Sequence, residues 1–178
     1  MTEIEILKIP HERTKALIGE KGSVKDRIEK RCNVTLEIDN EGEVQISGEP
    51  TDIFFAKDIV KAIGRGFDPK DAMRLAQSDF NLYIIPLRDF TQSDNEMTRL
   101  RGRVIGSEGK IKLDIEASTD SAISVYGNTI SIISKIDTMS YAKEAISMLL
   151  DGAPHMALLN YLAKAKREIY ESRLRGHA

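Results

Sequence analysis

Apolar and charged residues alternate at period two over residues 3–9, with Ile4, Ile6 and Ile9 set among Glu3, Glu5 and Lys8, which predicts a strand. Pro10 ends it. Helical spacing follows over residues 12–18, breaks at Gly19 and Gly22, and resumes with Val24, Ile28 and Cys32 on one face. Ser23 is the expected cap of that second helix. Val34, Leu36 and Ile38 alternate again, Asn40-Glu41-Gly42 reads as a turn, and Val44 with Ile46 makes the return arm of a hairpin. A longer helix is expected to begin at Thr51 or Asp52 and to run through about residue 63. The predicted order is β-α-α-β-β-α.

The same order comes a second time. Residues 82–87 read as a strand, 95–105 and 110–117 as two helices, and 122–125 with 130–133 as a hairpin through Gly127-Asn128. A last helix starts near residue 138. An offset of 87 carries Val24 to Ile111, Ile28 to Ile115, Glu29 to Glu116 and Leu36 to Ile123. One deleted residue in the turn changes the offset to 86, which carries Ile46 to Ile132, Lys57 to Lys143 and Gly66 to Gly152. So extended a match marks a duplication and a count of two domains. The expected boundaries are 1–78, including a helical linker over 70–77, and 79–178. The second domain ends in an amphipathic helix carrying Leu158, Leu162, Ala165 and Ile169.

Each copy holds one Ile-Gly-x-x-Gly string: Ile18-Gly19-Glu20-Lys21-Gly22 and Ile105-Gly106-Ser107-Glu108-Gly109. Two glycines between helices let another molecule's backbone approach closely, since no Cβ stands in the way. The following helix start adds free N–H groups and a positive dipole end, which suit a phosphate. Lys25 and Arg27 in the first copy, and Lys110 and Lys112 in the second, add charge there. The other wall of such a groove is expected to be apolar: Ile18, Ile28 and Leu36, or Ile105, Ile115 and Ile123. Arg99, Arg101 and Arg103 stand just before the second loop and favour that copy as the stronger binder. Glu20 and Glu108 place carboxylates beside the expected phosphate path.

Composition narrows the function classes. With 178 residues, 41% hydrophobic and 30% charged, the chain is of globular composition, and each half is a small domain. No apolar stretch nears the roughly 20 residues of a membrane span, and no signal-peptide pattern opens the chain. Cys32 is the only cysteine, so a reducing, cytoplasmic setting is expected. The net charge of −2 is not that of a uniformly basic nucleic-acid binder, so any phosphate affinity must be local. His11, His155 and His177 lack metal-ligand spacing and neither loop continues as Gly-Lys-Ser/Thr, so no metal, cofactor or catalytic residue is expected and the chain reads as a non-enzyme.

The residues also resemble a known family. Arg101-Gly102-Arg103-Val104-Ile105-Gly106 with Gly109-Lys110, then Ile115-Glu116 and Ser124-Val125-Tyr126-Gly127, is similar to the second KH domain of a small-ribosomal-subunit assembly factor. The linker Ala62-Ile63-Gly64-Arg65-Gly66-Phe67-Asp68-Pro69 and the tail Gly152-Ala153-Pro154-His155 resemble that family's other signatures. It is the archaeal and eukaryotic tandem-KH pre-rRNA processing factor, the partner of the Nob endonuclease. The resemblance implies an α+β chain of two tandem type I KH domains, each a three-stranded antiparallel sheet on three helices, with a C-terminal helical extension.

It further implies binding of single-stranded RNA near the 3′ end of small-subunit rRNA or its precursor. Recruitment of the endonuclease and of a dimethyladenosine transferase is implied as well. The implied RNA contacts are Arg101, Arg103, Ile105, Gly106, Ser107, Glu108, Gly109, Lys110, Lys112 and Ile123. Gly19, Glu20, Lys21, Gly22 and Lys25 are their counterparts in the first copy, which could instead serve a protein. A tandem-KH regulator of mRNA or RNA decay, or a protein-interaction scaffold, are the alternatives.

Overall fold

The computed structural model describes residues 1–176; His177 lies outside the described residues. The chain divides into two compact units, Met1–Leu82 and a second from Tyr83 onward. In the first, β1 (Glu3–Lys8) leads through a short 3-10 turn into α1 (Thr14–Ile18), and the glycine loop joins it to α2 (Ser23–Cys32). The hairpin β2 (Thr35–Ile38) and β3 (Glu43–Gly48) precedes α3 (Pro50–Gly64) and the short α4 (Pro69–Ala72).

Strand β4 (Phe80–Pro86) crosses the boundary between the units, and the second unit continues with α5 (Asp94–Ile105), α6 (Lys110–Thr119), β5 (Ser121–Tyr126), β6 (Thr129–Lys135) and α7 (Met139–Leu150). Then α8 (His155–Gly176) packs on α6 and α7. No helix of the described residues is long and apolar enough to cross a membrane.

The sheets are ordered β1-β3-β2 and β4-β6-β5, with antiparallel pairing, so β2 and β5 are edge strands. Each element exists for a local reason. The apolar stripe Val24, Ile28 and Cys32 turns α2 inward, and Asn33 ends that helix in the left-handed conformation at φ 56°. Asp120, its counterpart 87 residues on, ends α6 at φ 49°. Asn and Asp tolerate that conformation better than most residues, which explains how both helices stop without a glycine.

Two expected caps are corrected. Gly22 rather than Ser23 stands at the α2 N-cap, and it makes no side-chain cap bond. Helix α3 starts at Pro50 with Glu49 as its N-cap, ahead of Thr51 and Asp52, because proline suits a first turn whose N–H would be unpaired. In the second unit Leu87, Met97, Leu100, Val104, Ile115, Ile123, Ile130, Ile132 and Ile146 form a continuous core between the sheet and helices. Cys32 is buried at 6% exposure, and burial pushes its thiol up from the ordinary value, away from thiolate chemistry.

Candidate nucleic-acid interface

The two glycine loops share one backbone path. Gly19 and Gly106 both have φ near +75° with an extended ψ (174° and 178°), a region open only to glycine. The next-but-one residues, Lys21 and Glu108, are left-handed at φ 52° and 55°. Gly22 and Gly109 follow at φ 78° and 74°. Within each pair the glycines do different work. A Cβ on Gly19 would lie 2.5 Å from Val24 Cγ2, and one on Gly106 would lie 2.4 Å from Ile111 Cγ1. A Cβ on Gly22 or Gly109 would meet nothing within 4 Å. The first glycine seats the loop on the following helix, and the second leaves a bare backbone facing outward. Neither α2 nor α6 has a side-chain N-cap, so the amides at their starts are not covered by the usual Ser or Asp.

The apolar shelf is narrower than the sequence suggests. Ile28, Leu36 and Ile115 are fully buried and Ile123 is 4% exposed, so these side chains belong to the core. Only Ile18 and Ile105, each 36% exposed at the lip of its loop, offer apolar surface.

The arginine series is also placed differently from expectation. Arg99 pairs with Glu96 along the face of α5, a contact that holds the Glu96 carboxyl below its ordinary range. Arg101 donates to Gly127 O at 2.9 Å and Asn128 Oδ1 at 3.0 Å, bolting α5 to the β5–β6 turn. Arg103 turns inward: its Nη2 donates to Ala153 O at 2.6 Å, while its Nε is buried without a partner.

The first unit solves the same problem with another residue. Arg13 donates from Nε to Ile63 O at 2.8 Å and from Nη2 to Phe67 O at 2.9 Å. Phe67 and Ala153 are equivalent by the offset of 86, but Arg13 aligns with Leu100 and Arg103 with Ala16. Two unrelated positions thus converge on one carbonyl, tying the helix before each loop to the turn after the last helix. Arg103→Ala is expected to cost about 2 kcal/mol in chemical denaturation, because it strips a charged donor from a part-buried carbonyl. Unchanged stability would show that the latch is idle.

Cationic side chains free to meet a phosphate are therefore more numerous in the first unit. Lys15, Lys21 and Arg27 are exposed and form no ion pair among the described residues. In the second unit Lys110 is exposed, whereas Lys112 pairs with Glu116 at 3.3 Å. Ser107, Glu20 and Glu108 are exposed on the loops. A hollow of about 410 Å³ lies between the start of α1 and the β2–β3 turn, lined by His11, Glu12, Thr14, Lys15 and Asn40. The equivalent ground in the second unit is spanned by Arg101, which aligns with Thr14.

One pair of residues lay in the repeat without drawing attention as functional. Glu29 accepts from the Leu36 N–H at 2.8 Å, and Glu116 accepts from the Ile123 N–H at 3.0 Å. Both are kept under the offset of 87, as Lys25 and Lys112 are, a signal the sequence did carry. Among the described residues no group of three or more His, Cys, Asp or Glu could hold a metal ion.

Comparison with known proteins agrees with this geometry. Residues 81–167 match the eukaryotic type KH-domain (KH-domain type I), and residues 3–62 match the KH domain. A KH domain-containing protein of Methanocaldococcus jannaschii is 46% identical over 175 residues, covering 96% of this chain and 77% of that protein. The pre-rRNA-processing protein pno1 of Aspergillus fumigatus is 33% identical over 119 residues, covering 65% of this chain, which spans 47% of that relative's length. Among solved structures, a chain of the a/eIF2alpha-aDim2p-rRNA complex from Pyrococcus horikoshii OT3 superposes with a TM-score of 0.87 at 40% identity, covering 94% of this chain and 96% of that one. Both halves and their order being matched, this chain belongs to the tandem-KH family of archaeal Dim2 and eukaryotic pre-rRNA-processing proteins.

Proposed function

We propose that the chain is a single-stranded RNA-binding factor of small-subunit assembly that acts on the 3′ region of the small-subunit rRNA or its precursor. The observation that carries this reading is the pair of superposable loops whose second glycine faces open space ahead of an uncapped helix start. Such a loop admits a phosphate of a single strand, and a KH groove holds about four nucleotides. The related Dim2 chain was solved with rRNA, and the fungal relative is a pre-rRNA-processing protein, which supports the same substrate here.

The RNA contacts in this reading are Gly19, Glu20, Lys21, Gly22 and Lys25, and Ile105 to Gly109 with Lys110 and Lys112. Ile123 contributes through its backbone rather than its side chain, and Arg101 and Arg103 hold the groove's frame. With Lys15, Lys21 and Arg27 unpaired, the first groove offers the more free cations and takes RNA as well as the second. The chain works without catalysis of its own, in the cytoplasm, through domains bounded near residues 78 and 79. The Nob-type endonuclease and the dimethyladenosine transferase are the partners that family membership supplies to this reading.

Crosslinking in cells followed by sequencing of the bound RNA tests it. A peak at the small-subunit rRNA 3′ end is expected. A scatter across messages would overturn the assembly role in favour of an mRNA regulator.

A further inference from the structure

Both units hold a carboxylate at the same place. In α2, Gly22, Lys25 and Glu29 are spaced three and four apart, so they form one stripe that leaves the loop and runs along the helix. Gly109, Lys112 and Glu116 form the same stripe on α6. The stripe ends against an edge strand, where the glutamate fills the outward N–H of Leu36 or Ile123. Its lysine neighbour lies 3.8 Å away in the first unit and 3.3 Å in the second. The glutamate side chains are 23% and 21% exposed, so each carboxylate is held in place yet still partly open to solvent.

Holding a strand N–H would need only one carboxylate oxygen. In the first unit Oε1 takes both the strand and the lysine, which leaves Oε2 over; in the second each oxygen takes one of the two. Each domain therefore displays a fixed anionic acceptor beside a cationic donor, about 10 Å along the helix from the glycine loop.

We propose, resting on the RNA-binding reading above, that Glu29 and Glu116 are base-selecting residues that favour amino-bearing bases over keto bases. A carboxylate only accepts and an ammonium only donates. Cytosine and adenine present an exocyclic amine beside a ring-nitrogen acceptor, which matches that order. Uracil and guanine present a carbonyl oxygen beside a ring N–H, which reverses it and sets oxygen against oxygen. Glutamate accepting from the cytosine amine is a known pairing in base readout. The lysine exchanges its contact with the carboxylate for one to the base ring, so each charged group keeps a hydrogen-bond partner.

The test uses the full chain with octacytidylate and octauridylate, which share a backbone and a ring size, in fluorescence anisotropy. The wild type is expected to bind the cytidine octamer about tenfold more tightly. In the Glu29→Gln, Glu116→Gln double variant the strand N–H still demands an acceptor, so each amide points its oxygen at the strand and its NH₂ at the base. That preference should then shrink to none or turn toward uridine, while thermal unfolding stays put. Should the variant unfold, an octamer of the 4-deamino cytidine analogue on the wild type asks the same question, and it should bind no better than octauridylate. Equal affinity of the wild type for the two octamers overturns the proposal while leaving RNA binding standing, as does an unchanged ratio in the folded variant. Absence of binding to these and to a random octamer pool overturns the RNA-binding reading and this one with it.

Discussion

Gly106→Asp is expected to destabilise the second domain by about 3–5 kcal/mol, combining glycine-only backbone strain with overpacking. An added Cβ would sit 2.4 Å from Ile111 Cγ1, 2.8 Å from its Cβ and 2.9 Å from its backbone nitrogen. None of these can retreat cheaply, because Ile111 is 6% exposed and anchors α6 in the core. The φ of 74° with ψ of 178° adds strain that no L side chain relieves. For a domain whose whole stability is on the order of 5–15 kcal/mol, this approaches loss of the fold at growth temperature. Gly19→Asp should behave alike against Val24. Chemical denaturation of the full chain reads the result directly, and a wild-type midpoint for Gly106→Asp would show that the helix start has room to move. A double Asp substitution at Gly106 and Gly109 would thus confound loss of binding with unfolding.

That distinction marks where sequence reading stops. The order of elements, the duplication and the register of the loops were legible because periodicity and glycine placement are local properties. Roles inside the loop were not, since Gly106 and Gly109 look alike until the position of Ile111 is known. The partners of the arginines were hidden for a similar reason. A run of Arg99, Arg101 and Arg103 along a helix states how much charge is present, not which carbonyl each side chain finds. Ala153 lies fifty residues away from Arg103, and Gly127 and Asn128 lie 26 and 27 residues from Arg101. Similarly, Leu36, Ile115 and Ile123 are apolar whether they floor a groove or fill a core, and only burial separates those cases. The paired glutamates show the reverse: they were visible in the repeat, but their meaning depends on β2 and β5 being edge strands.

Gly22→Asp combined with Gly109→Asp is expected to lower affinity for single-stranded RNA by about a hundredfold while the protein keeps its fold. Both positions have left-handed backbone that aspartate tolerates, and a Cβ at either would meet nothing within 4 Å. The carboxylates would stand where the phosphates come closest, at helix starts with no side-chain cap, and would take those amides for themselves. The loss should appear in the salt dependence too, because each phosphate contact given up flattens the slope of log K against log salt by about 0.7. Two loops releasing one phosphate apiece predict a change near 1.4 on that scale. The single variants should divide the effect, with the larger share from Gly22→Asp, whose loop is flanked by unpaired Lys15, Lys21 and Arg27. A folded double variant that binds RNA with wild-type affinity and slope would remove the loops from the interface altogether.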